Sequence, residues 1–371
     1  MDKIINFFTK NKDTIKFTAE EFQIPLNIEF YKLKINGVLP PEIVDNVNEY
    51  IKKYQPEIQF GLKKFKLTAL LSKITSDDKS YDDVLKAGAS IPSLPKIYNL
   101  QSILLPIRSQ EQTNCCVAFS TSCVIEYKNI MSKKYLDYFS PAFIYNNREN
   151  PNEDIGMGST DAINIVKQYG VATEKIFPFD MLNKSIQPFV YENAKNYTIN
   201  DFYYIKSLDT MKIAIYNNGP VMAILPFYMK ADINTFWLKP ANYVNSNPKM
   251  YCDGYHCINI IGYDDQSERL IIRNSWGTKW GINGYQWVSY SDFNVIEESW
   301  TFLPASTQPS ESIYTTTPLD NYQNLNDSNN QILGLDTITF YSLLAGIIGF
   351  IILIIIIIII RYKQNKNINI T

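Results

Sequence analysis

The chain has 371 residues, 46% of them hydrophobic, and a formal net charge of −2. That length and apolar content suffice for a sizeable core of one or two domains plus accessory segments. The balanced charge gives no electrostatic case for a nucleic-acid partner, and no basic patch with interleaved aromatics stands out beyond short lysine clusters. The five cysteines form no C-x2-C pair, and Cys252, His256 and Cys257 are too irregularly spaced for a ligand set, so no metal or other cofactor is expected. Heavy use of Asn, Ile, Lys and Tyr suits an AT-rich coding sequence, as in a large DNA virus or a protist.

Met1 to Phe8 lacks the long apolar core of a secretory signal. Residues 1–90 then read as a helical extension. Pro40-Pro41-Glu42 opens one helix running to about Tyr54, and a second is predicted from Phe60 to Ile74, with Lys63, Lys64, Lys66 and Lys73 on its polar side. Ser76 to Gly88, carrying Asp77, Asp78, Asp82 and Asp83, reads as acidic and exposed. Ile91-Pro92-Ser93-Leu94-Pro95 reads as extended, because each Pro disfavours helix in its predecessor.

Gln110-Glu111-Gln112-Thr113-Asn114-Cys115-Cys116 leads into a dense apolar run from Val117 to Met131 with no Gly or Pro, the pattern of a buried helix. Asn114 is expected as its cap, with Cys116 in the first turn. There the unpaired N–H groups and the positive dipole end favour thiolate over thiol. Ser140-Pro141 opens the next helix as cap and first position. Gly156 and Gly158 follow, either letting an extended peptide approach the backbone closely or forming an ordinary flexible turn. Asp161 to Tyr169 is an amphipathic helix ended by Gly170. Asn183 and Asn196 lie in glycosylation sequons, relevant only on a luminal face. Ile213 to Phe227, broken at Asn218-Gly219-Pro220, reads as helix, turn and strand. Strands follow at Cys257–Tyr263, Leu270–Asn274, Tyr285–Tyr290 and Trp300–Leu303.

The chain holds a single histidine, His256, so only this side chain offers an imidazole base near neutral pH. A lone histidine on a strand is most often a satisfied core group. That reading weakens at Asn274-Ser275-Trp276-Gly277, which supplies an amide able to orient the imidazole and an indole able to cover that bond. A cysteine, a histidine and an asparagine then converge on one chemistry: thiolate and imidazolium as nucleophile and acid–base.

These segments resemble the papain-like cysteine peptidases, whose pattern is Gln, Cys six residues on, then His, then Asn-Ser-Trp-Gly. The resemblance runs from about Leu94 to Leu303. His256 follows Cys116 by about 140 residues, inside the spacing of roughly 130–150 for that family. Asn274 comes slightly late, for which an enlarged loop from Asp264 to Arg269 is the expected cause. The resemblance implies an α+β, two-lobed fold, a helical lobe and a β-sheet lobe with the cleft between them, and protein or peptide substrates. It implies Cys116 as nucleophile, His256 as general acid–base, Asn274 as its orienter and Trp276 as its shield. Gln110 and the Cys116 backbone N–H would form the oxyanion hole. Gly156, Gly158 and Tyr255 are the candidates for contact with substrate, and relatives often favour a bulky apolar residue two positions before the cut.

The register with Gln110 and with Ala118-Phe119-Ser120 favours Cys116 over Cys115 as the nucleophile, since adjacent helical positions point about 100° apart. Val117 and Glu111 replace a common aromatic residue and a common glycine. Thr113 stands where secreted relatives carry a bridging cysteine. Cys123 and Cys257 read as packing. Residues 1–90 are either a helical extension packed on the enzyme or an autoinhibitory prosegment lying in the cleft, with any processing near Ala87 to Ile91. The alternatives to a peptidase are an inactive peptide-binding or structural membrane module and a transglutaminase-like acyl transferase, the latter disfavoured by the asparagine.

From Pro304 to Gln331 the composition turns to Ser, Thr, Asn, Gln and Pro, a linker. Ile338 to Ile360 is uncharged and, at about 1.5 Å per residue, long enough to span a hydrocarbon layer of roughly 30 Å. Arg361, Lys363 and Lys366 follow it. The expected organisation is thus an extension at 1–90, a peptidase domain at 91–304, a linker at 305–337, a transmembrane helix at 338–360 and a basic tail at 361–371. The lipid bilayer becomes a partner, in a virion or host membrane. Basic residues after the span place the enzyme outside, whereas the missing signal peptide and the C-terminal position fit a tail anchor with a cytosolic enzyme.

Overall fold

Proline at the first helical position forfeits no hydrogen bond, and α1 (Pro41–Tyr54) begins where Pro41 predicts, burying Ile43, Val44, Val47 and Ile51 as one stripe. The computed structural model describes residues 34, 38–60, 63–75, 77–88, 92–132, 135–151, 153, 155–243, 250–304, 331–332 and 335–336. The described residues through Pro304 belong to one compact unit and the four described residues beyond them to a second. In the second, Gln331–Ile332 pairs antiparallel with Leu335–Asp336.

The helix expected from Phe60 to Ile74 is absent. Glu57–Phe60 (β1) and Lys63–Lys66 (β2) form an antiparallel hairpin instead, with Glu57 opposite Lys66 and Lys64 bonded to the Glu57 carboxylate at 2.5 Å. From Leu67 on, the backbone bonds to other segments rather than to itself: Leu67 N–H to the Pro56 carbonyl, Ala69 N–H to Tyr255 and Leu70 N–H to Met157. Those partners hold residues 67–72 extended, and all six are buried. Lysine spacing alone did not separate a helix face from the exposed positions of a hairpin.

The acidic stretch at 76–88 is not simply exposed either. It contains α2 (Tyr81–Lys86), capped by Ser80, with Tyr81 and Leu85 buried. The Asp82 carboxylate accepts from the hydroxyls of Ser207 and Thr210 at 3.2 and 2.7 Å, so this acid anchors the extension to the rest of the unit.

The chain then runs through β3 (Ile97–Asn99), α3 (Cys116–Met131), α4 (Pro141–Asn146), α5 (Ser159–Tyr169) and α6 (Pro188–Ala194). It continues as β4 (Ile199–Tyr204), α7 (Leu208–Asn218), β5 (Val221–Phe227), β6 (Gly254–Asp264), β7 (Arg269–Arg273), β8 (Tyr285–Ser289) and β9 (Glu298–Pro304). A mainly helical half followed by a sheet half is the expected α+β arrangement. Ser140 accepts from the Phe143 N–H with Pro141 at the first position of α4, as read from the sequence. Gly170 ends α5 at φ 78°, a conformation that favours glycine.

The strands form one seven-stranded sheet in the order β4-β9-β5-β6-β7-β8, with β3 also pairing with β6; the pairings are antiparallel. The turn between β6 and β7 is only Asp265–Glu268, so no enlarged loop separates His256 from Asn274; a register shift between Ile260 and Gly262 falls in this stretch. Helix α3 is buried on nearly every side, and the Asn259 side chain on β6 donates to the Ser120 carbonyl at 3.0 Å. That contact sets the start of the helix against the strand carrying His256.

Among the described residues no helix is long and apolar enough to cross a membrane. The span expected at 338–360, the tail at 361–371, the first eight residues, positions 89–91 of the processing region and all but four residues of the 305–337 linker lie outside the described residues.

Candidate active site

Helix α3 starts at Cys116, with Cys115 at the cap position and no side chain capping the end. Asn114 is not the cap. Its side-chain oxygen accepts from the Thr68 hydroxyl at 2.6 Å, so the segment covering the helix start takes the group that the sequence assigned to capping. Cys116 is fully buried, and burial pushes its thiol up to about 11, against the pull of the backbone N–H groups of Cys257, Val117, Cys116 and Ala69. The helix end's preference for thiolate is therefore outweighed by desolvation while the site is covered. Cys257 and Ala69 among those groups place the thiol between the residue after His256 and the segment at 67–72. No disulfide joins the five cysteines.

His256 stands on β6 opposite Leu225 of β5, fully buried. Its Nε2 lies 2.7 Å from Asn274 Oδ1, which also accepts from the Ser275 N–H at 2.7 Å. An amide oxygen only accepts, so Nε2 carries the proton and Nδ1 is left as the basic nitrogen. Nδ1 is buried and has no hydrogen-bond partner among the described residues. Burial lowers the imidazole to about 4, with the Asn274 bond acting in the opposite direction. Arg273 fixes the backbone just before Asn274 by donating to Tyr285 Oη at 2.9 Å and to the Pro106 carbonyl at 3.0 Å.

Trp276 lies over the imidazole with ring centroids 4.4 Å apart, and Phe236 meets the ring edge-on at 5.7 Å. Phe65 of β2 stacks on Trp276 at 5.1 Å, adding a wall from the extension. Phe236 carried no motif in the sequence; it reaches the site through the stretch between β5 and β6. Gln110 is held on three sides. Its backbone N–H donates to the Ser275 carbonyl at 2.8 Å, its Oε1 accepts from the Ser275 hydroxyl at 2.7 Å, and its Nε2 donates to the Thr113 carbonyl at 3.1 Å. One of the two amide hydrogens remains for another acceptor. Glu111 adopts φ 51°, where glycine would be unstrained, and its carboxylate pairs with Lys63 at 2.5 Å.

Gly156, Gly158 and Tyr255 do flank an extended chain, and that chain is residues 67–72 of the protein itself. Tyr255 N–H donates to the Leu67 carbonyl and the Tyr255 carbonyl accepts from Ala69 N–H, both at 3.2 Å. Leu70 N–H donates to the Met157 carbonyl at 3.1 Å, and the bridges to Tyr255 and Gly158 are both parallel. A Cβ on Gly156 would lie 1.5 Å from the Thr68 carbonyl oxygen, so this position demands glycine while the segment is seated.

A further residue, besides Phe236, went unnoticed in the sequence. Glu298, at the start of β9, is buried and bonded by both Ser72 N–H (2.7 Å) and Ser72 Oγ (3.1 Å). An acid beside the alternating Trp300 and Phe302 of a buried strand was the available signal.

The sequence profile of papain family cysteine proteases matches residues 95–300. The chain is similar to an uncharacterized peptidase C1-like protein of Acanthamoeba polyphaga mimivirus, 27% identical over 299 residues that make up 74% of this chain and 87% of that protein. It is also similar to Peptidase 1 of Euroglyphus maynei, 28% identical over 202 residues, 52% of this chain and 60% of that protein. Among solved structures, xylellain, a cysteine protease from Xylella fastidiosa, shares the fold at a TM-score of 0.55 and 22% identity, over 67% of this chain and 100% of that one.

Proposed function

The chain belongs to the papain family of cysteine proteases, and on that premise we propose that it hydrolyses peptide bonds through Cys116, His256 and Asn274. The observation that carries this reading is the imidazole itself: Nε2 is committed to Asn274 at 2.7 Å while Nδ1 has no partner among the described residues, one residue from the Cys257 N–H that the Cys116 thiol approaches. In the reaction the thiol proton passes to Nδ1 and the sulfur attacks the scissile carbonyl carbon. The electron pair displaced onto oxygen is held by the Gln110 amide and the Cys116 N–H. His256 returns the proton to the leaving amine as the C–N bond breaks, leaving a thioester. Water then gives a proton to Nδ1, attacks the thioester carbon and frees the thiolate with a carboxylic acid product. Trp276 keeps solvent from the His256–Asn274 bond. Hydrolysis of a quenched fluorescent peptide mixture by the full chain, Cys116→Ala and Cys115→Ala tests this. Loss in the first variant alone is expected; turnover by Cys116→Ala contradicts it. Peptide binding without turnover, by the full chain and by the chain without residues 1–90 alike, would favour the non-catalytic module.

The N-terminal region acts as a latency segment in this reading. Residues 67–72 occupy the track formed by Gly156, Gly158 and Tyr255, and their burial of Cys116 and His256 favours the neutral thiol and neutral imidazole over the reactive ion pair.

The apolar stretch at 338–360 supports tethering of the enzyme to a bilayer, in a virion or host membrane, with the peptidase on either side. Deleting 338–360 would move the protein from a carbonate-resistant membrane fraction to the soluble one; retention at the membrane would contradict the anchor. Glycan mapping at Asn183 and Asn196 tests a luminal orientation.

A further inference from the structure

The Cys116 thiol has a second thiol beside it. Alternate residues of a strand share a face, so Cys257 and Asn259 of β6 both turn toward α3. Asn259 donates to the Ser120 carbonyl at 3.0 Å, and the Cys257 thiol meets the Ser120 hydroxyl. Ser120 lies four residues after Cys116, one turn along the same face of the helix. The Cys116 thiol is in turn held by the Cys257 N–H. The two sulfurs therefore face each other across the contact between helix and strand, and both residues are fully buried. Burial, and after it negative charge on the Cys116 sulfur, push the Cys257 thiol well above its ordinary value.

The other three cysteines are placed differently. Cys115 is joined to Cys116 by one peptide unit, their side chains diverge by about 100°, and a disulfide between them would close a strained ring through that unit. Cys123 stands seven residues along α3 from Cys116, roughly 10 Å at 1.5 Å per residue, and lies beside Arg273. Cys252 donates to the Gly254 carbonyl at 3.2 Å. A disulfide brings two Cα atoms to about 4.4–6.8 Å. A thiol seated against its partner's own N–H starts from that scale, and rotation of the two side chains brings sulfur to sulfur.

Residues 67–72 cover the pair, and the Ala69 N–H also points at Cys116. Once they leave, desolvation no longer favours the neutral thiol, and the thiolate is the form that peroxides oxidise.

We propose that Cys257 is the resolving thiol for Cys116, so that hydrogen peroxide converts the pair in the uncovered cleft to a reversible disulfide that switches the enzyme off. The Cys116 thiolate gives an electron pair to one peroxide oxygen as the O–O bond breaks. A sulfenic acid is left on Cys116, and the departing hydroxide takes the imidazolium proton and leaves as water. The Cys257 sulfur then attacks the Cys116 sulfur, the S–O bond breaks, and hydroxide departs with the Cys257 proton as a second water. Two thiols have lost two electrons and one peroxide has become two waters. Thiol–disulfide exchange with a dithiol reductant restores both residues, whereas sulfinic and sulfonic acids at Cys116 would be permanent. Loss of activity in this scheme rests on the peptidase reading of Cys116; formation of the disulfide does not.

The test treats the full chain and its Gly156→Ala variant, in which a Cβ displaces Thr68 of the covering segment, with hydrogen peroxide. Free thiols are then alkylated, and peptides are mapped without reduction. A linked pair of peptides carrying Cys116 and Cys257 is expected, forming faster in Gly156→Ala and more slowly in the parent, which reacts through its open fraction. Cys115→Ala should leave the link intact. Peptide hydrolysis should be lost as the link forms and return with dithiothreitol. In Cys257→Ala, measured against its own activity before oxidation, the loss should persist after dithiothreitol, with sulfinic acid at Cys116. The link without hydrolysis by any form sinks the peptidase reading alone. Cys116 linked to Cys115, or oxidised to sulfinic acid while Cys257 stays a free thiol, overturns the pairing and leaves the peptidase reading standing. So does a Cys116 that iodoacetamide alkylates but peroxide leaves unlinked.

Discussion

Asn274 Oδ1 meets His256 Nε2 at 2.7 Å, and this bond decides which imidazole nitrogen is basic. Because the chain has one histidine, its ring gives a single set of NMR resonances whose titration is unambiguous. In the covered site burial holds the imidazole near 4 against the usual 6.5. Between those values the unfolded chain binds the proton and the covered form does not. This contribution to stability is therefore complete above 6.5 and lost as the pH falls toward 4. Burial raises Glu297 and Glu298, which act in the opposite sense, so the ring resonance is a cleaner readout than a melting curve. A midpoint near 4 in the full chain, moving upward once residues 67–72 are displaced, is expected. A midpoint at or above 6.5 in the full chain would contradict the covered site.

Gly156→Ala sets a methyl group 1.5 Å from the Thr68 carbonyl oxygen, closer than any real contact. Overpacking of this kind costs about 1–3 kcal/mol, which shifts the opening of the segment by roughly five- to 150-fold. Iodoacetamide should therefore alkylate Cys116 at least about fivefold faster in this variant than in the parent at the same pH. Unchanged alkylation would mean that residues 67–72 do not limit access to the thiol. The parent's rate should keep rising toward high pH, because its thiol is pushed up to about 11.

Gln110→Ala removes one donor to the developing oxyanion and should lower kcat by about 10²–10³, with little change in alkylation of an opened Cys116. Its Oε1 also receives the Ser275 hydroxyl, so Gln110→Glu, which keeps that acceptor, is the control for misplacement of Asn274. Equal losses of alkylation and turnover in both variants would assign Gln110 to structure instead.

Much of the site was legible because its chemistry is local: Gln110 to Ser120 and Asn274 to Gly277 are short runs whose spacing is covalent. The single histidine needed no pattern at all. Most of β5 to β9 could be read from apolar alternation and turn residues, whereas β3 has three residues and β4 carries Asn200 and Asp201. What could not be read was set by partners distant in sequence. Residues 67–72 are extended because Tyr255 and Met157 hold them there, and nothing within Lys63 to Ile74 distinguishes that from a helix. Glu298 likewise gains its meaning from Ser72, more than two hundred residues away. The same covering segment reversed the expected thiol acidity, since a helix-end argument takes no account of what lies on top of it.

The most direct measurement is covalent labelling with an epoxide thiol-protease inhibitor, followed by peptide mapping of the folded, reduced protein with and without residues 1–90. The account predicts modification at Cys116 and not at Cys115, Cys123, Cys252 or Cys257, faster without the extension and abolished by His256→Ala. Modification at Cys115, or labelling of Cys116 that is indifferent to His256, would contradict the pairing of thiol and imidazole on which the proposed activity depends.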